Sequence, residues 1–479
     1  MNFNSTEYLV FLPAVFLLYW FVFKKCRPQN VLVVIASYIF YGSWDWKCLA
    51  LIFATSLVSY LCGIALGRHD VKERLRPWIS GFNILFNLAI LAVFKYYNFF
   101  GENFTALLNS VGMNAGWVTT DIVLPVGISF YTFQALGYTI DVYRRKIEPT
   151  RDFVAFMAFI SFFPQLVAGP IERAYNLLPQ FLTPRSFNYA NAVDGMRLIL
   201  LGLVKKMLVA DNCAGAVDTI FDNWQQLDGG TLLYGAVLFA FQIYGDFSGY
   251  SDIARGSGKL LGIELMQNFR YPYFSRDIAE FWRRWHISLN TWFRDYVYIP
   301  LGGSRCGKVK IIRNTFVIFL LSGLWHGADW TFICWGAYNA LLFIPLLLSG
   351  NNRNNMDTVA VGRSWPSFKE LLQMLLTFLA VTVGWVFFRA GSMEQAVGYI
   401  TRIFTGFSIT VPPYGHKAFL FIILLLLAEW IGRHKEHPLE FGGRGVMKYR
   451  FARVALYFIV FMATLLLAGD KVDFIYFQF

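Results

Sequence analysis

The sequence predicts an all-α, polytopic integral membrane protein, and its composition is the first evidence. Of the 479 residues, 56% are hydrophobic and 15% are charged, whereas a soluble domain is about a quarter charged. Mean hydropathy is +0.47. Aromatic residues make up 19% of the chain, which suits lipid-facing surfaces and interfacial belts. The net charge of +12 is explained by basic cytoplasmic loops, so the composition argues against nucleic-acid binding.

The N-terminus predicts a retained membrane span. Its apolar run ends at Lys24, Lys25 and Arg27, and no basic residue precedes it, which is the reverse of the order in a signal peptide. Because basic flanks stay in the cytoplasm, we expect the N-terminus on the outer side.

Apolar segments then recur along the whole chain. They lie at about 31–41, 47–66, 78–97, 122–140, 153–168, 192–209, 232–244, 311–325, 330–348, 371–388, 418–431 and 454–468. Several are shorter than the roughly 20 residues of a simple span, so we expect tilted, paired or re-entrant helices among about 11 to 13 membrane helices.

Basic clusters predict the orientation. They lie at 68–76, 144–151 and 433–453, and we expect all three to be cytoplasmic. The last span then leads outward, which places residues 470–479 outside the cytoplasm. With both termini outside, the number of crossings is even. No soluble domain can be separated, so residues 1–479 are predicted to form a single transmembrane domain.

Residues 242–264 do not resemble a lipid-facing helix. Their sequence is QIYGDFSGYSDIARGSGKLLGIE, in which five glycines favour a broken helix and Asp246, Asp252, Arg255 and Lys259 are ionisable. Polar, irregular backbone at membrane depth occurs where protein buries it or where it lines a wet cavity. We interpret the segment as re-entrant and cavity-lining; the alternative is a cytoplasmic loop between two spans.

His326 is the strongest candidate for chemistry. It occurs in LLSGLWHGADWTF, where apolar and aromatic residues on both sides place it inside the membrane. Burial disfavours the charged imidazole, and the neutral form is the one that a general base needs. Gly323 and Gly327 leave room for a ligand or water beside the ring. The alternative is a structural histidine whose hydrogen bonds are satisfied.

His286 is the second candidate. Helical spacing places Trp282, Trp285, His286 and Leu289 on one face, which predicts an amphipathic helix at the cytoplasmic boundary. A plain interfacial anchor explains the same spacing.

Other motifs are rejected. The six cysteines form no CxxC pair, and the histidines of RHKEHP match no zinc spacing, so no metal site is predicted. GGSRCGKV at 302–309 fits GxxxxGK but lacks the Ser or Thr that binds Mg²⁺, which argues against a nucleotide-hydrolysing loop. Its basic residues could still contact the phosphates of another ligand.

Six motifs, in order along nearly the whole chain, carry a family resemblance. They are LPVGISFYTFQALGYTIDVYR, FFPQLVAGPIERAYNLLPQ, QIYGDFSGYSDIA, FWRRWHISLNTWFRDYVYIPLGGSR, GLWHGADWTF and the terminal DFIYFQF. Together they resemble the membrane-bound O-acyltransferase superfamily, in particular its bacterial alginate and polysaccharide O-acetyltransferase branch. The resemblance implies a ring of helices around a central tunnel, in the lipid of the bacterial inner membrane.

The resemblance also implies the reaction and its partners. An acetyl group is expected to pass from cytoplasmic acetyl-CoA to an extracytoplasmic acceptor, for O-acetylation of an exopolysaccharide or cell-wall polysaccharide. Acetyl-CoA is a substrate, and no tightly bound cofactor is expected. An extracytoplasmic SGNH-hydrolase-like acetyltransferase is the expected partner that completes transfer to the polymer.

Site residues follow from matching motifs and from their chemistry. His326 is expected to act as general base on the acceptor hydroxyl, and His286 to hydrogen-bond the thioester carbonyl or align the donor. The cations expected to bind the CoA phosphates are Arg283, Arg284, Arg294, Arg305, Lys308 and Lys310. The residues expected to line the passage are Asp246, Ser248, Tyr250, Asp252, Asp295 and Trp325.

The C-terminal FIYFQF leaves two interpretations open. Its apolar residues could seat Tyr476 in the outer mouth of the tunnel as an acyl carrier, as the similar FxYF-type tail of a small partner in teichoic-acid D-alanylation implies. Alternatively, the segment packs the last helix or docks a partner.

Two rival functions also remain at this point. One is a lipid or teichoic-acid O-acyltransferase. The other is a non-catalytic acyl or solute transporter, because intramembrane polar groups also mark transport paths. A second copy of GDFSGYSD or GLWHGADW, as paired transporter halves would carry, does not occur.

Overall fold

The computed structural model describes residues 1–68, 70–119, 124–408, 412–441 and 445–475. Within these ranges the regular structure is helical and no β-strand forms, as the composition predicts. The chain divides into two compact units, so the single domain over residues 1–479 stays a prediction. The first unit comprises Met1–Tyr189, Gly258–Leu265 and Gly327–Asp329, and the second comprises Ala190–Ser257, Met266–His326 and Trp330–Phe479.

Nine α-helices lie wholly within the described part of the first unit. They are α1 Thr6–Leu17, α2 Cys26–Gly42, α3 Leu49–Leu66, α4 Arg76–Leu91, α5 Tyr97–Ser110, α6 Ile128–Tyr143, α7 Phe153–Ser161, α8 Phe163–Leu166 and α9 Ala174–Leu182. Helix α6 is buried on nearly every side, and its polar Thr132, Gln134 and Thr139 are buried together with its apolar residues.

The remaining α-helices lie wholly or mostly in the second unit, which also holds the candidate site. They are α10 Tyr189–Leu203, α11 Asp211–Asp222, α12 Gly229–Leu260, α13 Ile278–Arg284, α14 Ile287–Phe293, α15 Lys308–His326, α16 Trp330–Leu348, α17 Phe368–Arg389, α18 Met393–Thr405, α19 His416–Gly432 and α20 Arg450–Leu466. A π-helical stretch, Val204–Ala210, joins α10 to α11.

The predicted apolar segments fall largely on these helices. Of the segment at 122–140, residues 122 and 123 lie outside the described ranges, and α6 begins at Ile128. Among the described residues, the helices long and apolar enough to cross a membrane are Trp46–Leu66, Glu73–Ser110, Trp330–Leu348 and Phe368–Arg389. The N-terminal Thr6–Val22 is apolar but shorter. The total of about 11 to 13 membrane helices stays a prediction, since helices such as α12 carry ionisable residues that lower their hydropathy.

The predicted break in residues 242–264 is wrong over most of its length. Helix α12 runs without interruption from Gly229 to Leu260. Its glycines serve close packing: a Cβ at Gly249 would lie 2.7 Å from the carbonyl oxygen of Gly202 on α10. Helix α12 therefore approaches α10 at backbone contact, and the chain first turns at Gly262, whose φ is +71°.

Close packing also explains Gly323 on α15. The sequence suggested that this glycine leaves room for a ligand beside His326. A Cβ at Gly323 would instead collide with the carbonyl oxygen of Phe332 on α16. The missing side chain thus allows α15 and α16 to pack together, which fixes the end of α15 where His326 lies.

Candidate active site

His286 lies in a sharp turn between α13 and α14. Its φ is +44°, in the left-handed region, and it caps the N-terminus of α14. Two backbone hydrogen bonds hold the turn: Ile287 N donates to Asn268 O at 3.0 Å and Arg270 N donates to Arg284 O at 2.9 Å. The prediction of a continuous amphipathic helix is therefore wrong, and His286 does not share one helical face with Trp282 and Leu289.

Asn268 holds the side chain of His286. Its Oδ1 lies 3.1 Å from His286 Nδ1 and accepts hydrogen bonds from the backbone N and the Oγ of Ser288, at 3.2 and 2.9 Å. Its Nδ2 donates to Ser251 Oγ on α12 at 3.3 Å. Asn268 and His286 are each 1% exposed. On the other side of the ring, His286 Nε2 is buried and has no hydrogen-bond partner among the described residues.

His326, the last residue of α15, faces His286. The centroids of the two rings are 6.4 Å apart. Trp325, Trp335 and Phe388 surround the His326 ring at 4.9, 5.1 and 5.2 Å. Trp325 also lies 5.8 Å from His286, and His326 is buried. The structure thus brings together the two predicted catalytic histidines and the predicted lining residue Trp325, within a wall of aromatic rings.

Two of the six predicted donor-binding cations are engaged within the protein. Arg283 donates to the carbonyl oxygens of Asn352 and Asn355 at 2.6 and 2.8 Å. Arg284 is buried and pairs with Glu280 at 2.7 Å. Both arginines therefore hold α13 against its surroundings.

The other four cations are exposed. Arg294 follows α14 and pairs with Asp295 at 2.8 Å, and the predicted role of Asp295 in lining the passage stays a prediction. Arg305, Lys308 and Lys310 lie in or after the glycine-rich turn that precedes α15, and all three are exposed to solvent. This turn and the start of α15 form a basic surface.

Asp252 on α12 belongs to a buried ion network. Lys205, in the π-helical stretch, lies 2.9 Å from Asp252 and 3.5 Å from Glu429 on α19. Tyr244 donates its hydroxyl to Glu429 at 2.6 Å. Asp252 is therefore paired with a lysine of a neighbouring segment, and this part of α12 is packed against protein.

Asp246 anchors the C-terminal segment. It pairs with Lys206 at 2.8 Å and accepts a hydrogen bond from Ile475 N at 2.6 Å. Lys206 also pairs with Asp211 at 2.9 Å and donates to Val472 O at 2.9 Å. A buried lysine and two buried carboxylates thus hold residues 472–475 against α12.

Aromatic contacts of Phe474 connect this C-terminal segment with the region of His286. Its ring lies 4.4 Å from Tyr250 and 6.0 Å from Phe247, and Phe247 lies 4.7 Å from His286. The predicted lining residue Tyr250 therefore contacts the tail, and the neighbouring Ser248 is buried. Tyr476 lies outside the described residues, so its role as an acyl carrier stays a prediction.

Sequence reasoning missed three residues of this region. Asn268 lies 18 positions before His286, and no local motif marks it. Lys205 and Lys206 did carry a signal: two adjacent lysines inside the apolar segment 192–209 require carboxylates on neighbouring helices. The charges of residues 242–264 are those partners in part.

Comparisons with known proteins agree with this architecture. The sequence model of the membrane-bound O-acyltransferase family matches residues 40–388, a range that contains both histidines. The probable alginate O-acetylase AlgI of Pseudomonas aeruginosa is 40% identical over 83% of this chain and 73% of its own length. The peptidoglycan O-acetyltransferase of Helicobacter pylori is 33% identical over 82% and 78%. A teichoic acid D-alanyltransferase of Bacillus subtilis is 30% identical, over 45% of this chain and 57% of its own length.

Proposed function

The chain belongs to the membrane-bound O-acyltransferase family, and from that premise we propose that it transfers an acetyl group from cytoplasmic acetyl-CoA to an extracytoplasmic polysaccharide acceptor. As an O-acyltransferase it needs an acyl donor and a hydroxyl acceptor. The similarity to the O-acetylases of alginate and peptidoglycan favours acetyl as the group and a glycan as the acceptor. The bacterial inner membrane, with both termini outside, is the location that suits these two substrates.

The observation that carries the proposal is the pair of buried histidines. Two imidazole rings 6.4 Å apart, enclosed by tryptophan and phenylalanine rings, can serve one reacting centre from two sides. Burial keeps an imidazole neutral and therefore able to take up a proton. Exclusion of water by the aromatic wall protects the thioester from hydrolysis.

The reaction needs one proton acceptor and one nucleophile. The acceptor hydroxyl attacks the acetyl carbon of the thioester while an imidazole of the pair removes its proton. The carbon–oxygen bond forms, the carbon–sulfur bond breaks, and the thiolate of CoA takes up the proton as it leaves. No covalent enzyme intermediate is required.

The exposed cations suit the donor. We assign the phosphates of acetyl-CoA to Arg294, Arg305, Lys308 and Lys310, because charge-assisted hydrogen bonds need side chains that a ligand can reach from solvent, and all four are exposed. Arg283 and Arg284 already hold protein groups, and we assign them a structural role. Arg294 lies eight residues beyond His286, about 12 Å along a helix, so a donor bound there extends its thioester arm toward the histidines.

The acceptor class can be tested against its rivals. A lipid O-acyltransferase would leave labelled acetate in the lipid extract, and a transporter would take up substrate without releasing thiol. An SGNH-hydrolase-like partner, where one completes the transfer, would raise the yield of acetylated glycan without changing thiol release.

The direct test is release of CoA thiol from acetyl-CoA by the purified protein in lipid nanodiscs. His326→Ala is expected to lower kcat by at least about 100-fold, the size of effect attributed to a positioned acid or base. His434→Ala, at an exposed histidine outside the site, is the matched control and is expected to retain full turnover. Turnover of a folded His326→Ala protein near the wild-type rate would overturn the proposal.

A further inference from the structure

The hydrogen bonds of Asn268 fix the orientation of its side-chain amide. A backbone N–H can only donate, so the Asn268 atom that lies 3.2 Å from Ser288 N is the carbonyl oxygen. The amide nitrogen then faces Ser251 Oγ, 3.3 Å away, which can accept. The reverse orientation would place the amide nitrogen, a donor, against the backbone N–H of Ser288, which can only donate.

The same oxygen decides where His286 carries its proton. His286 Nδ1 lies 3.1 Å from Asn268 Oδ1, and an amide oxygen has no proton to give. The hydrogen bond exists only if Nδ1 is the protonated nitrogen. In a neutral imidazole, Nε2 then bears the lone pair. This Nε2 is the buried atom that no described residue contacts by a hydrogen bond.

We propose that Asn268 is a positioning residue for acyl transfer: it holds the neutral His286 with its proton on Nδ1, so that Nε2 is a proton acceptor at the site. The proposal rests on the proposed function. It also limits the roles predicted for His286, because a neutral ring in this tautomer has no N–H left to donate to the thioester carbonyl.

The spacing of the histidines shows that they do not hydrogen-bond each other. A direct N–H···N bond of about 3 Å would bring the ring centroids to about 5 Å, whereas they are 6.4 Å apart. The two rings are therefore not bonded to each other. A substrate hydroxyl that reaches His286 Nε2 can donate to it, and an imidazole of the pair takes the proton as the carbon–oxygen bond forms and returns it to the CoA thiolate as the carbon–sulfur bond breaks.

The test is the pH dependence of kcat/KM for thiol release. Asn268→Asp keeps an acceptor for Nδ1–H but adds a negative charge, which favours the charged imidazole. Because the neutral ring is the active form, we expect the acid limb of the profile to move upward by about one pH unit or more. Asn268→Leu removes the acceptor, and we expect kcat to fall about 10- to 100-fold.

Ser251→Ala provides the matched comparison. It removes the hydrogen bond on the other side of the same amide and leaves the Oδ1 contacts in place, so the acid limb is expected to stay at its wild-type pH. An unmoved acid limb in a folded Asn268→Asp protein that still turns over would overturn the assignment of the tautomer. That result would leave the proposed function standing, whereas absence of thiol release by the wild type would remove the proposed function itself.

Discussion

Burial separates the arginines that stabilise the fold from those that can bind a ligand, and Arg284 belongs to the first group. Arg284 and Arg276 both pair with Glu280, which is 1% exposed, at 2.7 and 3.1 Å. A carboxylate left in this setting without its partners is costly, because a buried charge needs compensation. The sequence FWRR shows that Arg283 and Arg284 are adjacent. It does not show that Arg284 and Arg276 meet at Glu280.

Removal of Arg284 should therefore affect stability first. We expect Arg284→Ala to destabilise the fold by about 3 kcal/mol, the lower end for a broken buried pair, because Arg276 still contacts Glu280. Its apparent melting temperature in nanodiscs should fall, while KM for acetyl-CoA in the surviving folded fraction stays near wild type. Arg305→Ala should instead raise KM for acetyl-CoA and leave the melting temperature unchanged. A raised KM with an unchanged melting temperature in Arg284→Ala would contradict this division of roles.

The sequence can single out a residue whose burial is itself unusual, while the catalytic role of that residue stays a prediction. His326 stands out because an imidazole between apolar runs needs a reason to be there, and the structure places it beside His286. Asn268 could not be found in that way, since an asparagine near a loop has many ordinary uses. Its role depends on a turn at His286 that contains neither glycine nor proline, so helical spacing continued through it.

Helix α12 shows how a pattern of glycines can mean two different things. In isolation, glycine weakens a helix and marks breaks, so residues 242–264 were predicted to be broken. In the fold, the glycines form the face through which α12 approaches α10, at the level of Gly202 and Gly249. The sequence of one helix does not show how closely a neighbouring helix approaches. Of the predictions for residues 242–264, only the burial of polar backbone in protein is confirmed.

The close approach predicts a stability effect at Gly249. Gly249→Ala puts a Cβ 2.7 Å from a carbonyl oxygen, so α10 and α12 must separate. We expect destabilisation of about 1–3 kcal/mol, as for an overpacked core. The measurement is thermal unfolding in nanodiscs.

Gly215 on α11 offers a control for helix propensity. A Cβ there meets no atom within 4 Å, so Gly215→Ala should be neutral or stabilising by up to about 1 kcal/mol. Equal loss of stability in the two variants would mean that backbone contact between α10 and α12 is not what Gly249 provides.

At the scale of the whole molecule, α15 connects the basic surface with the histidines. Thirteen residues separate Arg313 from His326 on this helix, which is about 20 Å at 1.5 Å per residue. In the proposed orientation, with Arg313 at the cytoplasmic boundary, His326 would lie well within a hydrocarbon core of about 30 Å. A CoA molecule bound at the basic surface must therefore extend its arm inward, since its phosphates cannot enter lipid.

This arrangement predicts a sided reaction. In inverted membrane vesicles the cytoplasmic face is outside, so added acetyl-CoA reaches the basic surface and thiol is released. In right-side-out vesicles the polyanionic donor cannot cross the bilayer, and we expect release at the level of vesicles that carry His326→Ala. Detergent should bring both preparations to the same rate. Equal release from intact right-side-out vesicles would reverse the orientation, because the donor would then bind on the extracytoplasmic face.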